Sequence, residues 1–161
     1  MESQKYRRLQ RFFSPRHIAV IGASAKNQWF ANCLLNARQM DDSIRFYPVN
    51  PNAAEVFGVS ACPSIAELPS AIDFAVVVVK ALLVPKVLAE LNERGIRNVL
   101  LISSGFAEVG REGRSLQEEI SGFCHAHGIV LMGPNCLGFI NPPASASVFA
   151  GGSVEGRVLS G

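Results

Sequence analysis

The sequence predicts an α/β chain, a mainly parallel sheet of about five strands with helices on both faces. Three observations lead there. Short β-branched apolar runs alternate with stretches of helical periodicity, the rhythm of βαβ units joined by right-handed crossovers. The run FAVVVV is apolar without a break, as in strands covered on both faces. Of the 161 residues, 48% are hydrophobic and 17% charged. That is enough for a sizeable core and too apolar for a disordered chain. The pattern is doubly wound and Rossmann-like.

The elements follow in order. The basic stretch Lys5, Arg7, Arg8, Arg11 and Arg16 reads as a solvated first helix. HIAVIG (17–22) is the first strand and ends on glycine. Residues 28–39 predict a helix with Trp29, Leu34 and Leu35 toward the core. IRFYPVN (44–50) is the second strand, closed by Pro51. A short strand is expected near 59–61, then a short helix in SIAELP stopped by Pro69. DFAVVVVK (73–80) has the character of a central strand. Residues 82–94 form a helix, with Val84, Val87, Leu88 and Leu91 on one face and Gly95 at its end. RNVLLIS (97–103) is the fourth strand, 112–127 an amphipathic helix ending at Gly128, and IVLMG (129–133) the fifth strand.

Composition excludes several classes. A net charge of +2 is too small to argue for nucleic acid or a membrane surface. The apolar runs are too short to cross a bilayer, and the basic N-terminus lacks the apolar stretch of a secretory signal. Cys33, Cys62, Cys124 and Cys136 show no C-x-x-C pairing and read as reduced thiols of a cytoplasmic protein. The cluster CHAH (124–127) has no second ligand pair at zinc spacing, so no metal is expected.

In open parallel sheets, ligands bind beyond the carboxyl ends of the strands. All five loops there are rich in small, polar or glycine residues: Gly22 to Asn27, Asn50 to Asn52, Lys80, Ser103 to Glu108, and Gly133 to Gly138. Gly22 and Ser24 suit an anion, because a tight turn aims the next helix's N–H groups at it. Lys26 adds charge. A nicotinamide dinucleotide would need more glycines and a carboxylate ending the second strand, which ends instead in Val49-Asn50-Pro51. Asp41 and Asp42 precede that strand, at the wrong edge. There is no G-x-S-x-G elbow and no P-loop. His17, His125 and His127 lie away from the rich edge, and Cys136 reads as a small buried cysteine. Glu108 is the one acid among these loops. No catalytic constellation is complete, so the chain reads as a binder.

The segments SPRHIAVIGAS, YPVNPNAAEVFGVSACPSIAELP, DFAVVVVKALLVPKVLAELNERGIRNVLLISSGFAEVG and GIVLMGPNCLGFIN resemble, in order, a known domain. It is the N-terminal coenzyme A-binding domain of NDP-forming acyl-CoA synthetases. That family includes ADP-forming acetyl-CoA synthetases and, more distantly, the succinyl-CoA synthetase alpha subunit. The same domain opens certain protein lysine acetyltransferases. PVNP, SGFAEVG and GPNCLG are the specific parts, and the likeness runs from about residue 11 to 141.

The resemblance implies that CoA or acyl-CoA lies over the rich edge. Gly22, Ala23 and Ser24 would hold the diphosphate, with Asn50 near the adenosine. Val79 and Lys80 would line the nucleotide or pantetheine path. Ser104, Gly105 and Phe106, with Asn135 and Cys136, would approach the thiol. Further synthetase domains or an ATP-grasp subunit are the implied partners. Two departures stand out: Trp29 near a family glycine at the helix start, and Lys80 where the family has proline. The implied division is a CoA-binding unit over 1–145, then a tail or the start of a truncated second domain over 146–161, where GRVLSG resembles an opening strand. The family's phosphohistidine chemistry would lie outside these residues. Two alternatives stand beside this expectation: an acyl-CoA-sensing domain of an acetyltransferase-like protein, and, disfavoured by the missing acid and glycines, an NAD(P)-binding oxidoreductase domain.

Overall fold

The protein is described by a computed structural model over residues 4–26 and 28–152. Its elements are α1 (Gln4–Phe12), β1 (His17–Ile21), α2 (Gln28–Met40), β2 (Arg45–Val49), β3 (Glu55–Val56), β4 (Val59–Ser60), β5 (Phe74–Val77), α3 (Val84–Glu93), β6 (Asn98–Leu101), α4 (Arg111–His127), β7 (Val130–Met132), β8 (Gly138–Asn141) and β9 (Ala146–Phe149). Five strands make one sheet in the order β2-β1-β5-β6-β7, and every pairing in it is parallel. The chain moves from β1 outward to β2, then returns past β1 to β5. The order therefore reverses between β1 and β5, which opens a crevice at their carboxyl ends.

Strand periodicity divides the core in two. Ala19, Ile21, Ala75, Val77, Val99 and Leu101 face one cluster, built with Val84, Leu88 and Leu91 of α3 and Ile120 and Cys124 of α4. Ile18, Val20, Phe74, Val76 and Leu100 face the other, built with Phe12 of α1 and Phe30, Cys33, Leu34 and Ala37 of α2. With both faces covered, the strands have no polar side to show, which is why they read as unbroken apolar runs. The predicted doubly wound sheet is the observed one.

The differences are local. Leu35 is 49% exposed, while its neighbours Leu34 and Asn36 are buried, so it rides the outer face of α2. SIAELP forms only a single 3-10 turn, Ile65–Glu67. Another 3-10 turn, Ala81–Leu83, precedes α3, whose first turn carries Pro85, a residue suited to a helix start. The expected strand near 59–61 pairs antiparallel with Glu55–Val56. Phe57 and Gly58 both take positive φ between them, the geometry of a two-residue hairpin turn.

The chain around the expected boundary at residue 145 is ordered by pairing on both sides of it. That boundary falls inside the antiparallel hairpin of β8 and β9. Ala146, Ser147, Val148 and Ala150 are buried, and Val148 and Ala150 join the apolar cluster of α2. Asn36 Nδ2 donates to the carbonyls of Phe149 at 3.0 Å and Gly152 at 3.3 Å. Asn141 Nδ2 donates to Phe13 O at 2.8 Å. Strand β9 is thus paired with β8 and packed on α2. The GRVLSG segment lies outside the described residues.

Residues 6–11 of the basic first helix are exposed. The Arg8 guanidinium lies 3.7 Å from where a Gly128 Cβ would stand, at the end of α4. Arg97 Nη1 donates to Asn92 O at 2.8 Å in the last turn of α3. The amino-terminal edge of a parallel sheet collects helix carboxyl ends, and cations there oppose the helix dipoles. No helix among the described residues is long and apolar enough to cross a membrane.

Candidate functional site

The turn leaving β1 meets the strand leaving β5 at the crevice. Gly22 has φ +86°, and a Cβ on it would stand 2.2 Å from the carbonyl oxygen of Val78. No side chain fits there, so glycine lets the two backbones touch. Gly22 N–H donates to Val49 O at 3.2 Å, and Val78 N–H to Ile21 O at 2.9 Å. Ala23 is fully buried. Its carbonyl accepts a 2.8 Å bond from Asn50 Nδ2, while Asn50 Oδ1 accepts the Asn52 N–H at 2.8 Å. Asn50 therefore ties the loop after β2 to the loop after β1.

Beyond this tie the turn offers donors. Ser24 Oγ accepts the Lys26 N–H at 3.2 Å. The N–H groups of Ser24 and Ala25 have no acceptor among the described residues, and α2 begins at Gln28. Open amides just ahead of a helix suit phosphate oxygens. Lys26 is exposed at the lip. Trp29, in the first turn of α2, is half-buried against the apolar cluster, its ring 6.3 Å from that of Phe30. The carboxylate that a nicotinamide dinucleotide would need at the end of β2 is replaced by an amide turned inward, and Asp41 is paired with Arg16 at 2.8 Å.

The other three loops are joined by Ser103, which the sequence reading placed on the rich edge but gave no role. Ser103 is 8% exposed. Its Oγ accepts the Val79 N–H at 3.1 Å and donates to Val79 O at 2.6 Å. Its carbonyl accepts the Asn135 N–H at 3.0 Å. A polar residue closing an otherwise apolar strand, in RNVLLIS, was the available signal. Next to it, Ser104 is exposed, and a Cβ on Gly105 would stand 3.1 Å from that of Ala81. Gly105 N–H donates to Glu108 Oε1 at 2.6 Å. Backbone N–H groups of Gly105, Glu108 and Phe106 hold the Glu108 carboxyl below its ordinary range. Phe106 is fully buried in the core shared with α3 and α4, so only its backbone reaches the loop. Lys80 is exposed, and its carbonyl accepts the Leu83 N–H at 2.8 Å. Asn135 has φ 55°, and Cys136 packs half-buried on the α2-side cluster.

All four cysteines are free, and burial pushes the Cys33 thiol up to about 12 and that of Cys124 to about 11. His17 Nδ1 lies 3.0 Å from the Tyr47 hydroxyl at the opposite edge of the sheet. Among the described residues no three His, Cys, Asp or Glu side chains form a metal-sized group.

The CoA binding domain family matches residues 16–142. The chain belongs to that family. Coenzyme A is its cofactor. This CoA-binding domain is 38% identical over 134 residues to the ADP-forming acetate–CoA ligase I of Archaeoglobus fulgidus, a match covering 83% of this chain and 19% of that protein. It is 37% identical over 137 residues to the alpha subunit of ADP-forming acetate–CoA ligase II of Pyrococcus furiosus, covering 85% of this chain and 30% of that one. Among solved structures, acetyl-coenzyme A synthetase 1 of Ca. Korarchaeum cryptofilum, in complex with phosphate and ADP, superposes with a TM-score of 0.78 at 33% identity. That superposition covers 89% of this chain and 31% of that one. The domain thus spans 19% to 31% of the length of these relatives. Both α1 and β9 fall outside the family match but inside the fold.

Proposed function

We propose that the domain holds CoA or acyl-CoA across the carboxyl edge of its sheet, as the CoA-binding part of an NDP-forming acyl-CoA synthetase. The diphosphate rests on the Gly22-Ala23-Ser24 turn, with Lys26 adding charge at the lip. The adenosine lies toward the Asn50 loop. The pantetheine arm passes Val79 and Lys80 toward Ser104, Gly105, Phe106, Asn135 and Cys136. The observation that carries this reading is the Gly22 contact with Val78, beside amides that no described residue accepts from. Acyl activation and phosphoryl transfer belong to partner domains or an ATP-grasp subunit. In support, no paired nucleophile and base stand in the loops among the described residues, and the relatives are several times longer.

Calorimetry of the chain with CoA, acetyl-CoA and NAD tests the reading. CoA and acetyl-CoA should bind and NAD should not. Heat from NAD with none from CoA would overturn it. A companion variant, Ser24→Glu, sets a carboxylate beside the diphosphate and should weaken CoA about ten-fold or more, through like-charge repulsion in a partly desolvated turn.

A further inference from the structure

We infer that Ser103 is a positioning residue that fixes the pantetheine-side loops relative to one another. The last ladder bond between β5 and β6 is donated by Ile102 N–H to Val77 O at 3.0 Å. One step on, where the parallel ladder would need a carbonyl from the next strand, the Ser103 hydroxyl stands in. It takes the Val79 N–H at 3.1 Å and gives its own proton to Val79 O at 2.6 Å. Both polar groups of Val79 are thus satisfied by one side chain, and the two strands end together. The backbone of the same residue then receives the Asn135 N–H at 3.0 Å, which brings in the loop after β7. Three loops therefore meet on a residue that is 8% exposed and whose hydroxyl already donates and accepts within the protein.

A buried hydroxyl has two roles to fill, donor and acceptor, and here both are filled within the protein. Removing it strands an N–H and a carbonyl at the crevice wall, and the loop must shift to find water. Ser103 makes no hydrogen bond to the Gly22 turn, which is held by Val49, Val78 and Asn50, and reaches it only through the Val78–Val79 peptide, whose carbonyl borders Gly22. The effect of Ser103 should therefore be larger on the pantetheine side, where it holds two loops directly. This inference rests on the proposed path of CoA over these loops.

The test compares CoA with ADP, which shares the adenosine diphosphate but lacks the pantetheine arm. Calorimetry is run on the whole chain as wild type, Ser103→Ala and Ser103→Cys, the last keeping bulk while weakening both bonds. Both variants should bind CoA about ten-fold more weakly, and ADP within about two-fold of wild type, as expected for loss of two local bonds. Unchanged CoA affinity in the variants would overturn the inference. So would parallel losses for CoA and ADP, or failure of both variants to fold, since Ser103 would then hold the whole domain. Amide exchange in the free protein separates the two ideas. In Ser103→Ala the Val79 and Asn135 amides should exchange faster, whether or not the wild type binds CoA. Wild type that does not bind CoA removes the proposed function, and unaltered exchange at those two amides removes the positioning role.

Discussion

Replacing Gly22 with alanine should cost the domain far more than one methyl group suggests. Two penalties act together. A φ of +86° forces an L side chain into a disfavoured backbone region, at about 1–2 kcal/mol. The new Cβ would also stand 2.2 Å from Val78 O, and relieving such a backbone contact adds about 1–3 kcal/mol. The sum, roughly 2–5 kcal/mol, predicts a melting temperature lower by roughly 5–15 °C for a domain of this size. Gly58 supplies the internal control. It has φ +77° but nothing within 4 Å of its Cβ position, so Gly58→Ala should cost only about 1–2 kcal/mol. Thermal denaturation of both variants by circular dichroism isolates the contact, since their difference cancels most of the φ penalty. CoA affinity should fall with Gly22→Ala and hold with Gly58→Ala. If the two variants melt together, β1 and β5 do not meet as described, and the crevice argument fails.

Four further outcomes follow. Glu108 is held below its ordinary pKa by three backbone N–H groups, so its hold on the loop is complete above the ordinary value and fades as pH falls through the lowered one. CoA affinity should accordingly drop on acidification below the ordinary value of 4.5, and Glu108→Gln should weaken binding at neutral pH while removing that acid limb. Asn50→Leu, which cannot bond Ala23 O, should weaken CoA and ADP alike, by roughly 1–3 kcal/mol for the stranded carbonyl, in calorimetry. Val148→Ala, at a fully buried position outside the family match, should destabilise the domain by roughly 1–3 kcal/mol in denaturant titration. Alkylation followed by mass spectrometry should find Cys136 modified well before Cys33, whose thiol is pushed up to about 12.

Much of this molecule was legible in its sequence because burial on both faces leaves a plain mark. The runs HIAVI, FAVV and NVLL contain little but β-branched and aliphatic residues, and they became β1, β5 and β6. Helix α3 was readable from the spacing of Val84, Val87, Leu88 and Leu91, all of which are buried. Short elements left no such mark. Glu55–Val56 is too brief to show a period and exists through its turn with Val59–Ser60. The β8–β9 hairpin was hidden for a different reason. Its sequence, GFINPPASASVF, mixes prolines and small residues, and the packing that makes it a hairpin comes from α2, more than a hundred residues earlier. Leu35 misled in the opposite way: an apolar residue is not thereby a core residue, because much protein surface is apolar.

The site repeats that lesson in polar chemistry. Composition located the rich edge, but it could not say which polar groups face outward and which are already used. Asn50 spends one amide hydrogen on Ala23 and its oxygen on Asn52, Ser103 spends its hydroxyl on Val79, and Glu108 spends an oxygen on Gly105. Phe106 is core. What remains open at the Gly22 turn is backbone, the N–H groups of Ser24 and Ala25. In the proposed function, such a cleft would recognise a diphosphate through amides whose positions depend on side chains that need not touch it. Mutations at Asn50, Ser103 and Glu108 should therefore change affinity by moving amides. Their signature is a change in backbone amide exchange in the free protein. Asn50→Gly provides the check: the Asn52 amide should exchange faster, and a loss of CoA affinity with unaltered exchange there would mean that Asn50 acts as a direct contact instead.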